Sequence, residues 1–188
     1  MKKIIFLSLS LMIVSMFGQF KYGFGISADM GSTVIGVEGV KIEPGVSLTI
    51  PLKFSGKFKV EPEISIVGYN QMNDSTSVYK SIIMPSICVS YDMVTPSKNT
   101  IISPGIKFGL IKATLEEEMW GKYVYTQVPG FFIAAVLGGE YFFSENMSFG
   151  GDFQLRFESL SETKDAGNEF DYTQVNTKSS IKLRFYFN

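Results

Sequence analysis

The stretch of the sequence that most restricts the fold is the last one, residues 172–188. Its alternate positions separate into two lines, of which one becomes strongly apolar and the other stays polar or charged. The apolar line ends in Ile181, Leu183, Phe185 and Phe187, and the polar line includes Gln174, Lys178, Lys182 and Arg184. Because successive side chains of a strand point to opposite faces, this period of two predicts a strand with one apolar and one polar face.

The same alternation recurs in seven earlier segments, 20–29, 42–52, 57–69, 78–93, 100–112, 124–143 and 147–158. With the last stretch this makes eight strands, and most reach the ~9–11 residues with which a tilted strand crosses a bilayer. The connections alternate between short ones at 53–56, 94–99 and 144–146 and longer polar ones at 30–41, 70–77, 113–123 and 159–171. Short turns at one end and long loops at the other are typical of barrels in outer membranes.

The placement of the charges indicates which face points inward. Almost every charged residue of the eight strands lies on the polar line, with Lys112 as the exception. A soluble sandwich would turn its charges toward water, whereas Lys or Arg on a lipid-facing position costs about 2–4 kcal/mol at mid-bilayer. The sequence therefore predicts an all-β fold, an eight-stranded antiparallel up-and-down transmembrane β-barrel with its charges inside.

Nine charged residues are the candidates for the barrel interior, and they are Glu61, Glu63, Lys107, Glu140, Asp152, Arg156, Glu158, Lys182 and Arg184. Two interpretations remain open for them. They could line a selective pore or form a proton-active carboxylate pair, or they could be a salt-bridged plug. The plug is favoured because eight strands enclose a space just wide enough for side chains to fill, and a buried charge needs a partner.

The first nineteen residues predict a signal peptide, followed by a barrel domain at 20–188. Lys2 and Lys3 precede a mostly apolar run at 4–14, which is shorter than the ~20 apolar residues of a spanning helix. We therefore expect export and an outer-membrane location, with outer-membrane lipid as the surroundings of the barrel.

Several functional classes are disfavoured by composition. The sequence has no histidine and one cysteine, Cys88, so Ser-His-Asp and Cys-His catalysis are absent and we expect neither an enzyme nor a cofactor. Without Lys2 and Lys3, fifteen basic residues face eighteen acidic ones, which gives no reason to expect nucleic-acid binding. The run Glu116–Glu118 before Trp120 could bind a cation or a partner, although such a run is more often a solvated loop tip.

Six prolines conflict with a closed ladder, because each removes one backbone donor. They are Pro44, Pro51, Pro62, Pro85, Pro104 and Pro129. A closed barrel in lipid has no free edge on which to place them.

Four stretches together resemble the small outer-membrane β-barrel domain family of Bacteroidetes-type bacteria. They are VEPEISIVGYN at 60–70, SIIMPSICVSYDM at 81–93, ISPGIKFGLI at 102–111 and LRFYFN at 183–188. The resemblance implies an eight-stranded barrel whose last strand, through Phe185 and Phe187, carries the signal read by the barrel-assembly machinery. The family has no common activity.

We expect a structural or surface-interaction role, exercised on an extracellular ligand through the acidic loops 30–41, 113–123 and 159–171. A small pore or transporter is an alternative that requires a continuous water path through the interior. A soluble lipocalin-like barrel that holds an apolar ligand is another, and it requires the apolar line to face inward.

Overall fold

The computed structural model describes residues 20–34, 45–54, 57–73, 76–119, 122–164 and 169–187, so the predicted signal peptide lies outside the described residues. No helix among the described residues is long and apolar enough to cross a membrane. The strands are β1 (Lys21–Val34), β2 (Val46–Thr49), β3 (Leu52–Phe54), β4 (Phe58–Asn73), β5 (Thr76–Tyr91), β6 (Met93–Val94), β7 (Thr100–Met119), β8 (Lys122–Ser144), β9 (Met147–Lys164) and β10 (Glu169–Phe187).

These ten segments form eight barrel strands. β2 and β3 both pair with β1 and β4 and make one strand interrupted at Ile50 and Pro51, and β6 continues β5 along β7 after Asp92. All neighbours in the ring pair antiparallel, and β10 closes it on β1, from Tyr22 opposite Phe187 to Val34 opposite Asn176. The predicted fold class, an eight-stranded antiparallel up-and-down barrel, is confirmed.

The two faces of the barrel are inverted relative to a water-soluble protein. Phe153 on the outer face is 52 % exposed, whereas Lys182 on the inner face is 4 % exposed. The same contrast holds around the ring, where outward Phe24, Ile64 and Ile106 are exposed and inward Ser27, Ser65 and Lys107 are buried. The apolar line therefore faces out, and the lipocalin-like interpretation loses the inward apolar face that it requires.

An aromatic belt surrounds the short-turn end of the outer face. Its exposed members are Tyr22, Phe58, Tyr91, Tyr141, Phe143, Phe149 and Phe187. The rings of Tyr22 and Phe187 lie 5.6 Å apart and those of Phe58 and Tyr91 5.3 Å apart. Belts of this kind are typical of strands that pass a membrane–water interface.

The long connections predicted from the sequence are mostly strand. β7 ends at Met119 and β8 begins at Lys122, so the loop predicted at 113–123 is wrong. β9 and β10 also include most of the loop predicted at 159–171. Residues 30–34 likewise belong to β1, and 35–41 lie outside the described residues. These segments were interpreted as loops because their residues are polar. The backbone nevertheless stays paired from Leu110 opposite Phe131 to Met119 opposite Lys122, because pairing between two strands does not require an apolar face.

The prolines lie where the ladder is already interrupted. The ladder between β5 and β7 omits Pro85, and that between β8 and β9 omits Pro129, while the opposite side of each strand stays paired. Pro62 and Pro104 lie at the two points where a neighbouring strand is itself broken, and Pro51 lies between β2 and β3. Each missing donor thus coincides with a gap on one side, and the barrel closes in spite of them; Pro44 lies outside the described residues.

The positions of the prolines predict that removing one proline from β8 costs little stability, whereas adding one at another outward position of β8 costs much. Pro129→Ala should change the free energy of unfolding by less than about 1 kcal/mol, because the gap already exists. Ile133→Pro should destabilise the barrel by several kcal/mol, because Ile133 is paired with both Phe108 and Phe157 and a lost donor in lipid has no substitute. Urea unfolding in lipid vesicles measures both variants, and equal costs would contradict the explanation of the prolines.

Candidate functional site

The inner face of the barrel carries a balanced set of charges contributed by all eight barrel strands. Among the described residues, seven acidic and seven basic side chains are buried there, Asp29, Glu61, Glu63, Asp92, Glu140, Asp152 and Glu158 with Lys53, Lys59, Lys107, Arg156, Lys178, Lys182 and Arg184. Each of the fourteen lies within 4.0 Å of at least one opposite charge. An electroneutral and fully paired set is what a stable buried ionic interior requires.

The centre of this set is Lys182 on β10. Its Nζ lies 2.7 Å from Asp152 Oδ2, 2.9 Å from Glu61 Oε1 and 3.2 Å from Glu63 Oε2. Asp152 comes from the neighbouring strand β9, whereas Glu61 and Glu63 come from β4, across the lumen. One ammonium therefore ties three strands together through the middle of the barrel.

Two further bases complete this central cluster. Lys107 Nζ donates to Glu63 Oε1 at 2.6 Å, and the Arg184 guanidinium lies 2.9 Å from Glu61 Oε2. Gly25 leaves the space that Arg184 occupies, since a Cβ at that glycine would lie 3.0 Å from Arg184 Cγ and 2.5 Å from Thr49 Oγ1. The central cluster spans the lumen from β4 to β9 and β10.

A second cluster closes the lumen at the short-turn end and is centred on Glu140. Its Oε1 accepts hydrogen bonds of 2.5 Å from both Ser148 Oγ and the Tyr186 hydroxyl, and its Oε2 lies 3.3 Å from Lys53 Nζ. Lys53 Nζ also lies 3.2 Å from Asp92 and faces the ring of Tyr186 at 4.6 Å. Arg184, 3.7 Å from Glu140, joins this cluster to the central one.

Toward the long hairpins the interior becomes partly apolar. Lys178 pairs with Asp29 at 2.7 Å and Arg156 with Glu158 at 3.2 Å, and the Arg156 guanidinium lies over the Phe132 ring at 3.7 Å. Beside them is a core of inward apolar residues, Val67, Met84, Ile111, Phe132, Ala134, Val136 and Leu160. On this side, cation–π contact and apolar packing are added to two ion pairs.

The space left between the central and second clusters is small. A cavity of about 20 Å³ lies among Lys59, Glu61, Asp152 and Arg184, with Cys88 on its wall. A single water fills a volume of this order. The cavity between the two clusters is therefore water-sized, and among the described residues no group of Cys, Asp and Glu side chains could hold a metal ion.

All nine interior candidates from the sequence lie on the inner face, but they do not form one site. Six of them make the central cluster, Glu140 belongs to the second cluster, and Arg156 pairs with Glu158 away from both. Phe185 and Phe187 lie on the outer face beside β1. The nine candidates did not include Asp29, Lys59, Asp92, Lys178 and Tyr186, although all five lie on the polar lines of the sequence. They also did not include Lys53, which was assigned to a turn and is in β3.

Solved structures similar to this one are bacterial outer-membrane barrels. A major outer membrane protein from Thermus thermophilus is 11% identical, with a TM-score of 0.62 over 90% of this chain and 100% of that one. Ail, the attachment invasion locus protein of Yersinia pestis, is 11% identical (TM-score 0.56, 90% and 99%), and Neisserial surface protein A is 12% identical (0.54, 89% and 97%). No protein-family model and no curated protein matches the sequence. Likeness at these identities establishes the fold alone.

Proposed function

We propose that the protein is an integral outer-membrane β-barrel whose interior is a closed, electroneutral plug and whose role is exercised at the cell surface. The observation that carries the proposal is the inversion of faces on a closed ring. Outward Phe153 is half exposed, and the fourteen charges inside are buried and paired. Lipid is the surroundings in which that arrangement is stable.

Several further features support the outer membrane as the location. The aromatic belt at the short-turn end matches a membrane interface, and residues 1–19 have the pattern of an export signal. Similar barrels among the solved structures include one described as a major outer membrane protein. The loose motifs at 60–70, 81–93, 102–111 and 183–188 resemble the Bacteroidetes-type barrel domain family, in which the last strand is the assembly signal.

The surface role is proposed for the paired hairpins that extend beyond the apolar band. The outer face is apolar up to Leu110 and Phe131 and turns polar at Lys112 and Gln127. β7 and β8 continue for several residues past this level as a paired ribbon, and β9 and β10 do the same. The sequence of these hairpins beyond the apolar band is acidic, with Glu116–Glu118, Glu162, Asp165 and Glu169. The side chains of these acids lie outside the described residues.

The location is tested by fractionating cells that express the full chain and running the membrane fraction on detergent gels, boiled and unboiled. The proposal predicts recovery in the outer membrane and faster migration of the unboiled protein, because a closed barrel resists detergent. Recovery in the soluble periplasm would contradict it.

The closed interior predicts no steady ion current. In a planar bilayer at high salt, the purified protein should give no channel events above baseline. The reason is that Arg184, which is ion-paired with both Glu61 and Glu140, lies across the lumen. The alternative, a small pore or transporter, predicts reproducible steps. A conducting outer-membrane barrel reconstituted in the same way is the control for insertion. No catalytic step is proposed, since each of the seven described interior carboxylates is ion-paired.

A further inference from the structure

The short-turn end of the barrel opens into a vestibule with a volume of about 710 Å³. Its wall includes Lys21, Lys53, Lys98, Phe142, Glu145 and Tyr186. Pockets for small organic ligands have volumes of roughly 300–1,000 Å³ and combine apolar walls with a few polar groups. This vestibule has both the size and the composition of such a pocket.

The floor of the vestibule is closed by the second cluster. Lys53 Nζ lies over both the ring of Phe142, at 4.8 Å, and that of Tyr186, at 4.6 Å, and it is paired with Asp92 and Glu140. Its own charge is therefore neutralised from the interior side. A molecule that enters the vestibule meets this layer and is retained there instead of passing through.

The charges that face the vestibule from its rim are mostly positive. Lys21 and Lys98 are exposed, and neither forms an ion pair with another described residue. Glu145 is the acidic side chain of the lining. Two ammonium groups and the rings of Phe142 and Tyr186 line the same vestibule, and such a wall is suited to a ligand with an anionic group and an apolar or ring-shaped body.

The wall that carries Lys98 is held in place by backbone contacts. Within the turn that forms this part of the wall, Lys98 N–H donates a hydrogen bond to Thr95 O at 2.9 Å. Thr95 N–H in turn donates to Thr100 O, also at 2.9 Å. Lys98 has a φ of 60°, which a lysine adopts at a cost that glycine does not have. Next to it, Phe142 N–H donates to Asn99 O at 2.7 Å and so anchors the turn on β8.

We propose that the vestibule binds a small water-soluble organic anion, with its phosphate or carboxylate group between Lys21 and Lys98 and its apolar body against Phe142 and Tyr186. Phe142 and Tyr186 lie on the inner face of their strands, so the apolar body of the ligand is held away from the lipid around the barrel. Binding rests on the vestibule alone and does not depend on the proposed surface role of the opposite end. In outer-membrane barrels the short turns face the periplasm, so the ligand would come from that compartment.

The test is the binding of phenyl phosphate to the purified full chain in neutral detergent, by isothermal titration calorimetry. Phenol and inorganic phosphate separate the contributions of ring and anion, and benzoate exchanges the anion. We expect saturable binding of phenyl phosphate that weakens as salt is raised. Combining Lys21→Gln with Lys98→Gly should weaken it at least about tenfold, which corresponds to about 1.4 kcal/mol.

Three variants keep the test independent of folding. Lys98→Gly removes the charge and also relieves the positive φ, so lost binding with unchanged or raised stability supports a ligand-binding lysine. Glu145→Gln should tighten binding. Lys57→Gln removes an exposed lysine of the same end that is not part of the lining, and should change nothing.

Three results of the phenyl phosphate titrations overturn the proposal. These are the absence of saturable phenyl phosphate binding, equal affinity in all variants, or an equal loss in Lys57→Gln, which would indicate general surface charge. Phenol binding as tightly as phenyl phosphate would also overturn it, because the ring would then suffice. A gel shift on heating shows that each variant is folded, so a failure of this test is distinct from a failure of membrane assembly.

Discussion

Phe153→Arg is expected to destabilise the barrel in the membrane strongly. Phe153 is on β9, 52 % exposed, and lies midway along an outward apolar line that runs from Phe149 to Phe157. If this line faces lipid, arginine at its middle costs about 2–4 kcal/mol. Because the whole stability of a domain is roughly 5–15 kcal/mol, that loss is a large part of it, and less of the protein should accumulate in the outer membrane.

The matched control is the same substitution at the rim. Phe143→Arg places an equal charge at an equally exposed phenylalanine in the aromatic belt, where the expected cost is about 0–1 kcal/mol. Folding of both variants into lipid vesicles, followed by urea unfolding, measures the difference. A cost for Phe153→Arg no greater than that for Phe143→Arg would show that the middle of this line does not face lipid.

The second large effect is expected from Lys182→Met. The substitution removes the ammonium that contacts Asp152, Glu61 and Glu63 and keeps the length of an unbranched side chain. Asp152 then keeps hydrogen bonds from Gln154 and Ser180 but has no cation, and Glu63 keeps Lys107. Removing one partner of a buried pair costs about 3–5 kcal/mol, because the remaining charge is left uncompensated.

A double-mutant cycle separates this cost from a packing defect. Lys182→Met combined with Asp152→Asn should be less destabilised than the sum of the two single variants, since the second change removes one of the uncompensated carboxylates. Lys57→Met, at an exposed turn, is the control and should change the free energy of unfolding by less than about 0.5 kcal/mol. Strict additivity in the cycle would mean that Lys182 and Asp152 do not interact.

Most of the fold could be predicted from the sequence because side chains along a strand alternate between its two faces. This period of two places Phe153 outside and Lys182 inside, because parity in a strand is fixed by the backbone and needs no knowledge of neighbours. The same rule puts Asp29 and Tyr186 on the inner face, and applying it without exception would have included them among the interior residues. Fold class and the sidedness of each strand therefore follow from residue order alone.

The ion-pairing partners across the lumen and the ends of the strands do not follow from the period of two. The register that brings Glu61 to Lys182 across the lumen depends on the shear of the closed ring, which is a property of all eight strands together. Whether Pro85 and Pro104 disrupt a ladder depends on gaps in the adjacent strand. The polar ribbon beyond Lys112 has no apolar line to reveal it, since its pairing is made by the backbone alone.

The central claim is that the apolar line of each strand contacts lipid, whereas the polar line is enclosed by the barrel. Two phenylalanines on opposite faces, Phe153 and Phe132, test this claim directly. In a Trp120→Phe background, Phe153→Trp reports from the outer face and Phe132→Trp from the inner face, where Phe132 is fully buried. The measurement is tryptophan quenching by lipids brominated on the acyl chain, in vesicles. The account predicts strong quenching at position 153 and little at position 132, and equal or reversed quenching would contradict it.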